Sequence, residues 1–372
     1  MAAAYLLVAG GGLAAAGSGS CATVAQTAGE RIQRNDVLPD GAIAITYGRT
    51  RVINPYFSNL IALGIVRLPG GPTTAERWIR WYLGHLNWPD ADGVYGTIDD
   101  YAVDPDGGES SRHRADSTDA YAATLLTLAR ALFEAGDPAQ RAYIRSIKYQ
   151  LDAIGGVIVE EQQPDGLTWA KPRYRVAYLL DNCEVYQGLG DLAFLMNAAF
   201  RDRHATQYYS SSAAAVAHGI NLLLWDALRD RYLIAVGAFG SKDAPRPGRW
   251  YPGAYGQIFP IVTGLLSPSS QRAIRLYHRL NRTFPDWSSR TDGTLSPSGA
   301  VGYAAALLGD RRRAEALIAM LGSPTSTARF ARDGGAAEQA WLIRTCTELN
   351  ANGGSRRSPA PDSESSREGA AK

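Results

Sequence analysis

The stretch that decides the fold is Asp116-Ser-Thr-Asp-Ala-Tyr121, echoed by Asp181-Asn-Cys-Glu-Val-Tyr186. Both have the form Asp-x-x-[Asp/Glu]-x-Tyr, and both open a long run rich in Ala and Leu. A short polar residue followed by an acid three positions on is a helix-start signal, the capping box. Four further starts share the position if not the spelling: Asn54-Pro55-Tyr56, Tyr251-Pro252-Gly253, Ser296-Pro297-Ser298 and Asp333-Gly-Gly-Ala-Ala-Glu338. Each has a capping residue or a proline in the first turn.

Helices extend from these starts with intervening partners. The periodicity predicts helices over 54–64, 73–86, 116–135, 138–154, 181–200, 205–225, 252–266, 268–281, 297–308, 311–321 and 338–349. The runs after the starts carry small apolar residues on all faces, as suits helices packed on both sides. Their partners are more charged, as suits helices facing water. The segment 231–249 reads as a β-hairpin with a loop. Together these patterns predict an all-α fold, an (α/α)6 toroid of six helical hairpins with short β pieces in the rim loops. Residues 41–350 form that domain. Residues 22–40 read as a linker, and 351–372, without periodicity, as a disordered tail.

Composition limits the function classes. With 45% hydrophobic and 20% charged residues, the chain can bury a core. A net charge of +2, with no basic run, gives no footprint for nucleic acid. Residues 1–21 form an apolar, glycine-broken run ending in Ser18-Gly19-Ser20-Cys21, read as a secretory or lipoprotein-like leader. The expected location is exported: periplasmic, secreted, or held to the envelope by lipid at Cys21. Such an anchor is the one expected link to a membrane. Cys183 and Cys346 are read as buried thiols, with a disulfide between them as the alternative.

If all six starts face one rim, the loops entering them must cluster there. Those loops carry Trp88, Trp169, Trp250, Trp287, Tyr95, Tyr101, Tyr174 and Tyr251. Flat aromatic faces suit sugar rings. The same rim gathers acids. Breaking a glycosidic bond needs one carboxyl to protonate the leaving oxygen and a second to activate water or attack the sugar. The candidates are Asp116 or Asp119 from one inner helix and Asp181 or Glu184 from the next. Capping alone would also account for them. Asp99, Asp100, Asp165, Asp286 and Asp292 are further rim acids. Asp100, Trp169, Lys171, Trp250, Tyr251 and Tyr255 are expected to line sugar subsites. No His-Glu-x-x-His, Gly-x-Ser-x-Gly or phosphate-loop motif occurs, so neither metal nor cofactor is expected.

The stretches Asp116-Ser-Thr-Asp-Ala-Tyr-Ala-Ala-Thr, Gly166-Leu-Thr-Trp-Ala-Lys-Pro and Asp181-Asn-Cys-Glu-Val-Tyr-Gln-Gly-Leu resemble the six-hairpin glycosidase superfamily. The resemblance covers about 50–345 through helix layout and only short stretches through motif. It implies an (α/α)6 barrel, an oligo- or polysaccharide substrate, and acids at the inner-helix rim acting commonly with inversion. The expected function is an exported glycoside hydrolase. One alternative is a polysaccharide lyase on an acidic glycan, using Tyr101 or His113 with Arg112 and Arg114. The other is a non-catalytic glycan-binding envelope protein.

Overall fold

A computed structural model describes residues 21–47, 50–290, 294–322 and 335–354. The leader, most of the expected tail, Asp292 and the Asp333 helix start lie outside the described residues.

The chain alternates between two helical layers. It opens with α1 (Cys21–Asn35), then α2 (Pro55–Ile65) and α3 (Gly71–Gly84). Next come α4 (Thr118–Ala135), α5 (Pro138–Ser146), α6 (Lys148–Glu161), α7 (Leu179–Ala198) and α8 (Arg203–Gly219). The remainder is α9 (Tyr255–Val262), α10 (Gln271–Thr283), α11 (Gly299–Leu307), α12 (Arg311–Leu321) and α13 (Gly335–Gly354). Packing runs α2–α4–α7–α9–α11–α13 and back to α2, which closes an inner ring. Outside it, α3, α6, α8, α10 and α12 each pack on inner neighbours. This is the expected (α/α)6 toroid.

The physical difference between layers is clear in α4 and α10. In α4 the run from Thr118 to Ala129 is buried throughout. In α10 only Ala273, Leu276, Tyr277 and Leu280 are buried, one stripe of a helix whose other faces carry Arg272, Arg275, Arg279 and Arg282. Inner helices approach closely where glycine allows it. A Cβ on Gly188 of α7 would stand 2.5 Å from the Ala123 carbonyl oxygen of α4. One on Gly64 of α2 would stand 2.5 Å from the Ala340 Cβ of α13.

The sixth hairpin corrects two expectations. Residues 22–40 are not a linker: α1 buries Ala25, Ala28, Gly29 and Ile32 and packs on α13. Its apolar residues follow i, i+3, i+4, i+7 spacing, so it is the missing outer partner of the last inner helix. The pairing of cysteines also differs. Cys21 joins Cys346 across that hairpin, and Cys183 is free and buried. A third expected element, one helix over 138–154, is two helices that break at Ile147 and run on to Glu161.

Short strands edge the rim. β1 (Ile45–Tyr47), β2 (Thr50–Ile53), β3 (Tyr101–Val103) and β4 (Glu109–Ser111) form an antiparallel sheet in that order. β5 (Val176–Tyr178) pairs with a strand at Ala235–Gly237, placing the expected hairpin of 231–249 beside the start of α7.

Side chains tie the helix starts to one another. Asn54, the cap of α2, donates to the Tyr121 hydroxyl at 2.7 Å. Trp250, before α9, donates to the Pro297 carbonyl, before α11, at 2.6 Å. Glu338 of α13 accepts from Ser298 N and Gly299 N, at the start of α11, at 3.0 and 2.9 Å. The starts therefore share one end of the ring.

Candidate active site

A cavity of about 480 Å³ opens at that end. Its walls come from successive helix starts: Asn54 and Tyr56, Asp116 and Ser117, Tyr178 and Asp181, Tyr251 and Pro252. Lys171 and Tyr174 reach in from the loop before β5.

Neither acid pair forms the expected capping box. Ser117, not Asp116, is the cap residue of α4, and its side chain bonds no backbone N–H of the helix. At α7 the strand β5 runs straight into the helix, so the cap is Tyr178 and Asp181 falls in the first turn. A capping box does occur at α5, between Asp137 and Gln140. Freed from capping, the acids at α4 and α7 meet each other. The Ser117 hydroxyl lies 2.6 Å from Asp119 Oδ1 and 3.0 Å from Asp181 Oδ2. Asp119 also accepts from the Thr168 hydroxyl at 2.7 Å and from Ala120 N at 2.7 Å.

The four candidate acids therefore occupy one neighbourhood in different settings. Asp181 lines the cavity, and burial, with neighbouring Asp119 acting the same way, raises its carboxyl to about 8. Asp119 is fully buried behind it and does not line the cavity. Burial raises its carboxyl too, opposed by the bonds from Ser117, Thr168 and Ala120. Glu184 is buried one turn further along α7. It accepts from the Tyr56 hydroxyl at 2.8 Å and is pushed well above the carboxylate range by burial and then by Asp181. Asp116 is exposed on the cavity wall.

The expected subsites divide. Lys171 and Tyr251 line the cavity. Lys171 donates to the Ala115 carbonyl at 3.1 Å. Asp100 stands behind the wall, where its Oδ1 accepts from Asn54 at 3.0 Å and from Tyr121 at 2.8 Å. Trp169, Trp250 and Tyr255 are not among the lining residues. Arg175 covers the Trp169 ring at 4.9 Å. Trp250 is buried against Phe284, and Tyr255 is buried against Phe259. Trp250 and Trp287 thus pack the rim onto the ring, while Trp88 is exposed and stacks on Tyr149. The cavity's own aromatics are Tyr56, Phe57, Tyr121, Tyr174, Tyr178 and Tyr251.

The other rim acids also have local partners. Asp99 accepts from Ser111 at 2.6 Å, Asp165 accepts from Leu167 N at 3.0 Å, and Asp286 holds Arg290. The lyase candidates do not reach the cavity. Tyr101 packs edge-on against Trp81 and His85, and His113 is exposed, 4.0 Å from Asp99. Among the described residues, no group of three His, Cys, Asp or Glu is arranged to hold a metal ion. Sequence reasoning passed over Ser117, Tyr56 and Asn54. The cap position of Asn54 was visible, but the partners of all three depend on helix packing.

No protein-family model matches the sequence, and no curated protein matches it. Solved structures do. The chain is similar to a GH63 mannosylglycerate hydrolase from Thermus thermophilus in complex with glucose, at 15% identity and a TM-score of 0.60, over 87% of this chain and 100% of that one. It is similar to a further glycosidase, a variant in complex with glucose, at 14% identity and a TM-score of 0.61, over 89% of this chain and 97% of that one. A rhamnosidase from Klebsiella oxytoca with rhamnose bound matches at 12% identity and a TM-score of 0.56, over 89% of this chain and 65% of that one. At such identities the likeness is one of fold: the chain has the architecture of the six-hairpin glycosidases.

Proposed function

We propose that the protein is a glycoside hydrolase whose general acid is Asp181. One observation carries this reading: Asp181 lines the cavity at the mouth of the ring with its carboxyl raised to about 8, beside an exposed carboxyl, Asp116. A group protonated at neutral pH can deliver a proton to a leaving oxygen. A water-facing carboxylate lining the same cavity suits the base that activates water. Two carboxyls in contrasting environments are what acid–base cleavage of a glycosidic bond requires. The fold supports the reading, since solved proteins of this architecture include glycosidases with glucose or rhamnose bound.

The substrate is an oligo- or polysaccharide approached at a chain end. A cavity of about 480 Å³ sits low in the usual range for small-molecule sites, on the order of one or two sugar rings. Water activated by Asp116 from the side opposite Asp181 gives inversion. Tyr251 offers its half-exposed ring to the sugar, and Lys171 its ammonium to ring hydroxyls. The Cys21–Cys346 disulfide favours an oxidising, exported location. One sulfur cannot hold both a disulfide and a lipid, so secreted or periplasmic protein is favoured over an anchored one.

The test is a panel of aryl glycosides and oligosaccharides with Asp181→Asn and Asp116→Asn. Each variant should lose at least ~100-fold on natural leaving groups. Asp181→Asn alone should recover on a dinitrophenyl leaving group, which departs without protonation. Equal losses on both leaving groups would remove Asp181 from the acid role. An unsaturated product would make the reaction an elimination.

A further inference from the structure

We propose that Ser117 and Asp119 are positioning residues, which hold the Asp181 carboxyl in place at the cavity and set its readiness to give and regain a proton. This deepens the reading of Asp181 as the acid and rests on it.

The argument is one of hydrogen-bond direction. A serine hydroxyl has one proton, and its oxygen here lies within bonding distance of two carboxyls. Asp119 is committed as an acceptor at both oxygens. Thr168 donates to Oδ2, and Ala120 N and Ser117 reach Oδ1. That one proton can serve either carboxyl, Asp119 across 2.6 Å or Asp181 across 3.0 Å. The hydroxyl gives it to Asp119 while Asp181 holds a proton of its own. Once Asp181 has released that proton to the leaving oxygen, the hydroxyl can turn and donate to the anion that is left. Asp119 thus favours the protonated acid, and Ser117 steadies the anion.

A second observation is independent. Ser117 is the cap residue of α4, where serine ordinarily bonds a backbone N–H of the first turn. Here the hydroxyl forgoes that bond and faces the two acids.

The groups facing Asp181 fall on three elements. Asp116 and Asp119 come from the start of α4, and Tyr251 from the turn before α9. Cys183 and Glu184 come from α7 itself, and Tyr178 is its cap at the end of β5. The one lysine or arginine on the cavity wall, among the described residues, is Lys171.

The test does not need substrate. The Asp181 carboxyl is followed by carbon-13 NMR against pH, with Asp181→Asn identifying its signal. In the wild type it should titrate near 8. In Asp119→Asn the midpoint should fall by at least one unit; in Ser117→Ala it should rise, and Ser117→Thr should restore it. If a substrate is in hand, the alkaline limb of kcat/KM should move with it. Folded variants with an unmoved midpoint would overturn the inference, as would a uniform loss in Ser117→Ala matching Asp181→Asn. A midpoint that moves in a protein cleaving no glycoside would leave the inference standing and sink the proposed function.

Discussion

The Tyr56 hydroxyl of α2 donates to Glu184 Oε1 of α7 at 2.8 Å, while among the described residues Glu184 Oε2 is buried with no partner. One phenol thus bridges the cavity wall and an acid beneath it. Tyr56→Phe removes the donor and leaves a buried carboxyl unsatisfied. The expected cost is about 1–3 kcal/mol in urea unfolding. A change below about 0.5 kcal/mol would mean that water replaces the phenol there.

Stability should fall as pH rises through neutrality. Asp181 has an ordinary value of 3.8 and a folded value of about 8. The folded state therefore binds its proton more tightly than the unfolded chain. That contribution is complete below about pH 4 and is lost progressively as pH rises toward 8. Glu184, also raised, acts in the same direction. Asp181→Asn should flatten the decline of Tm between pH 4 and 8. A variant curve as steep as the wild type would locate the proton uptake elsewhere.

Neighbouring aromatics should separate stability from binding. Trp250 is buried and donates to the Pro297 carbonyl; Tyr251 is half-exposed on the cavity wall. Trp250→Phe should destabilise the fold by about 1–3 kcal/mol, leaving KM within a few-fold. Tyr251→Ala should raise KM several-fold with little change in Tm. The reverse pattern would exchange the two roles.

Close approach of inner helices gives a further measurement. Gly188→Ala would press a methyl against the Ala123 backbone of α4, with 2.5 Å to its oxygen. Overpacking of this kind costs about 1–3 kcal/mol. Gly190, on the same helix, has open space at its Cβ position, so Gly190→Ala should be neutral or stabilising. Thermal melts of the two variants should differ in sign or clearly in size.

Removing the disulfide should also be costly. Cys346→Ser opens a link spanning 325 residues and should lower stability by about 2–4 kcal/mol. Cys183→Ser should leave the link intact, since Cys183 is free. If reductant left the Tm of the wild type unchanged, α1 would be held by its apolar contacts alone.

Much of the ring was legible because caps are local. Asn54 accepts from Phe57 N, and Pro55 fills the first turn of α2, a signal contained in four residues. The acids at α4 and α7 were visible by type, yet their job was not. A serine in a cap position reads as a cap, and only packing turned Ser117 toward Asp181. The placement of the tryptophans was hidden for a related reason. Trp169 and Trp250 are in rim loops, but rotamer and neighbour decide whether a ring faces the cavity or the core. α1 was missed because its Ala25-Ala28-Ile32 stripe borders an alanine-rich leader and its partner begins only at Gly335.

The helices that complete the circle come from opposite ends of the described chain. A ribosome therefore releases α1 long before α13 exists to receive it. Until then Ala25, Ala28 and Ile32 lack the helix that α1 packs on, and five hairpins stand as an open crescent. Completion must be a late event in synthesis, and a product cut short before Cys346 would carry an adhesive seam at both edges of the gap.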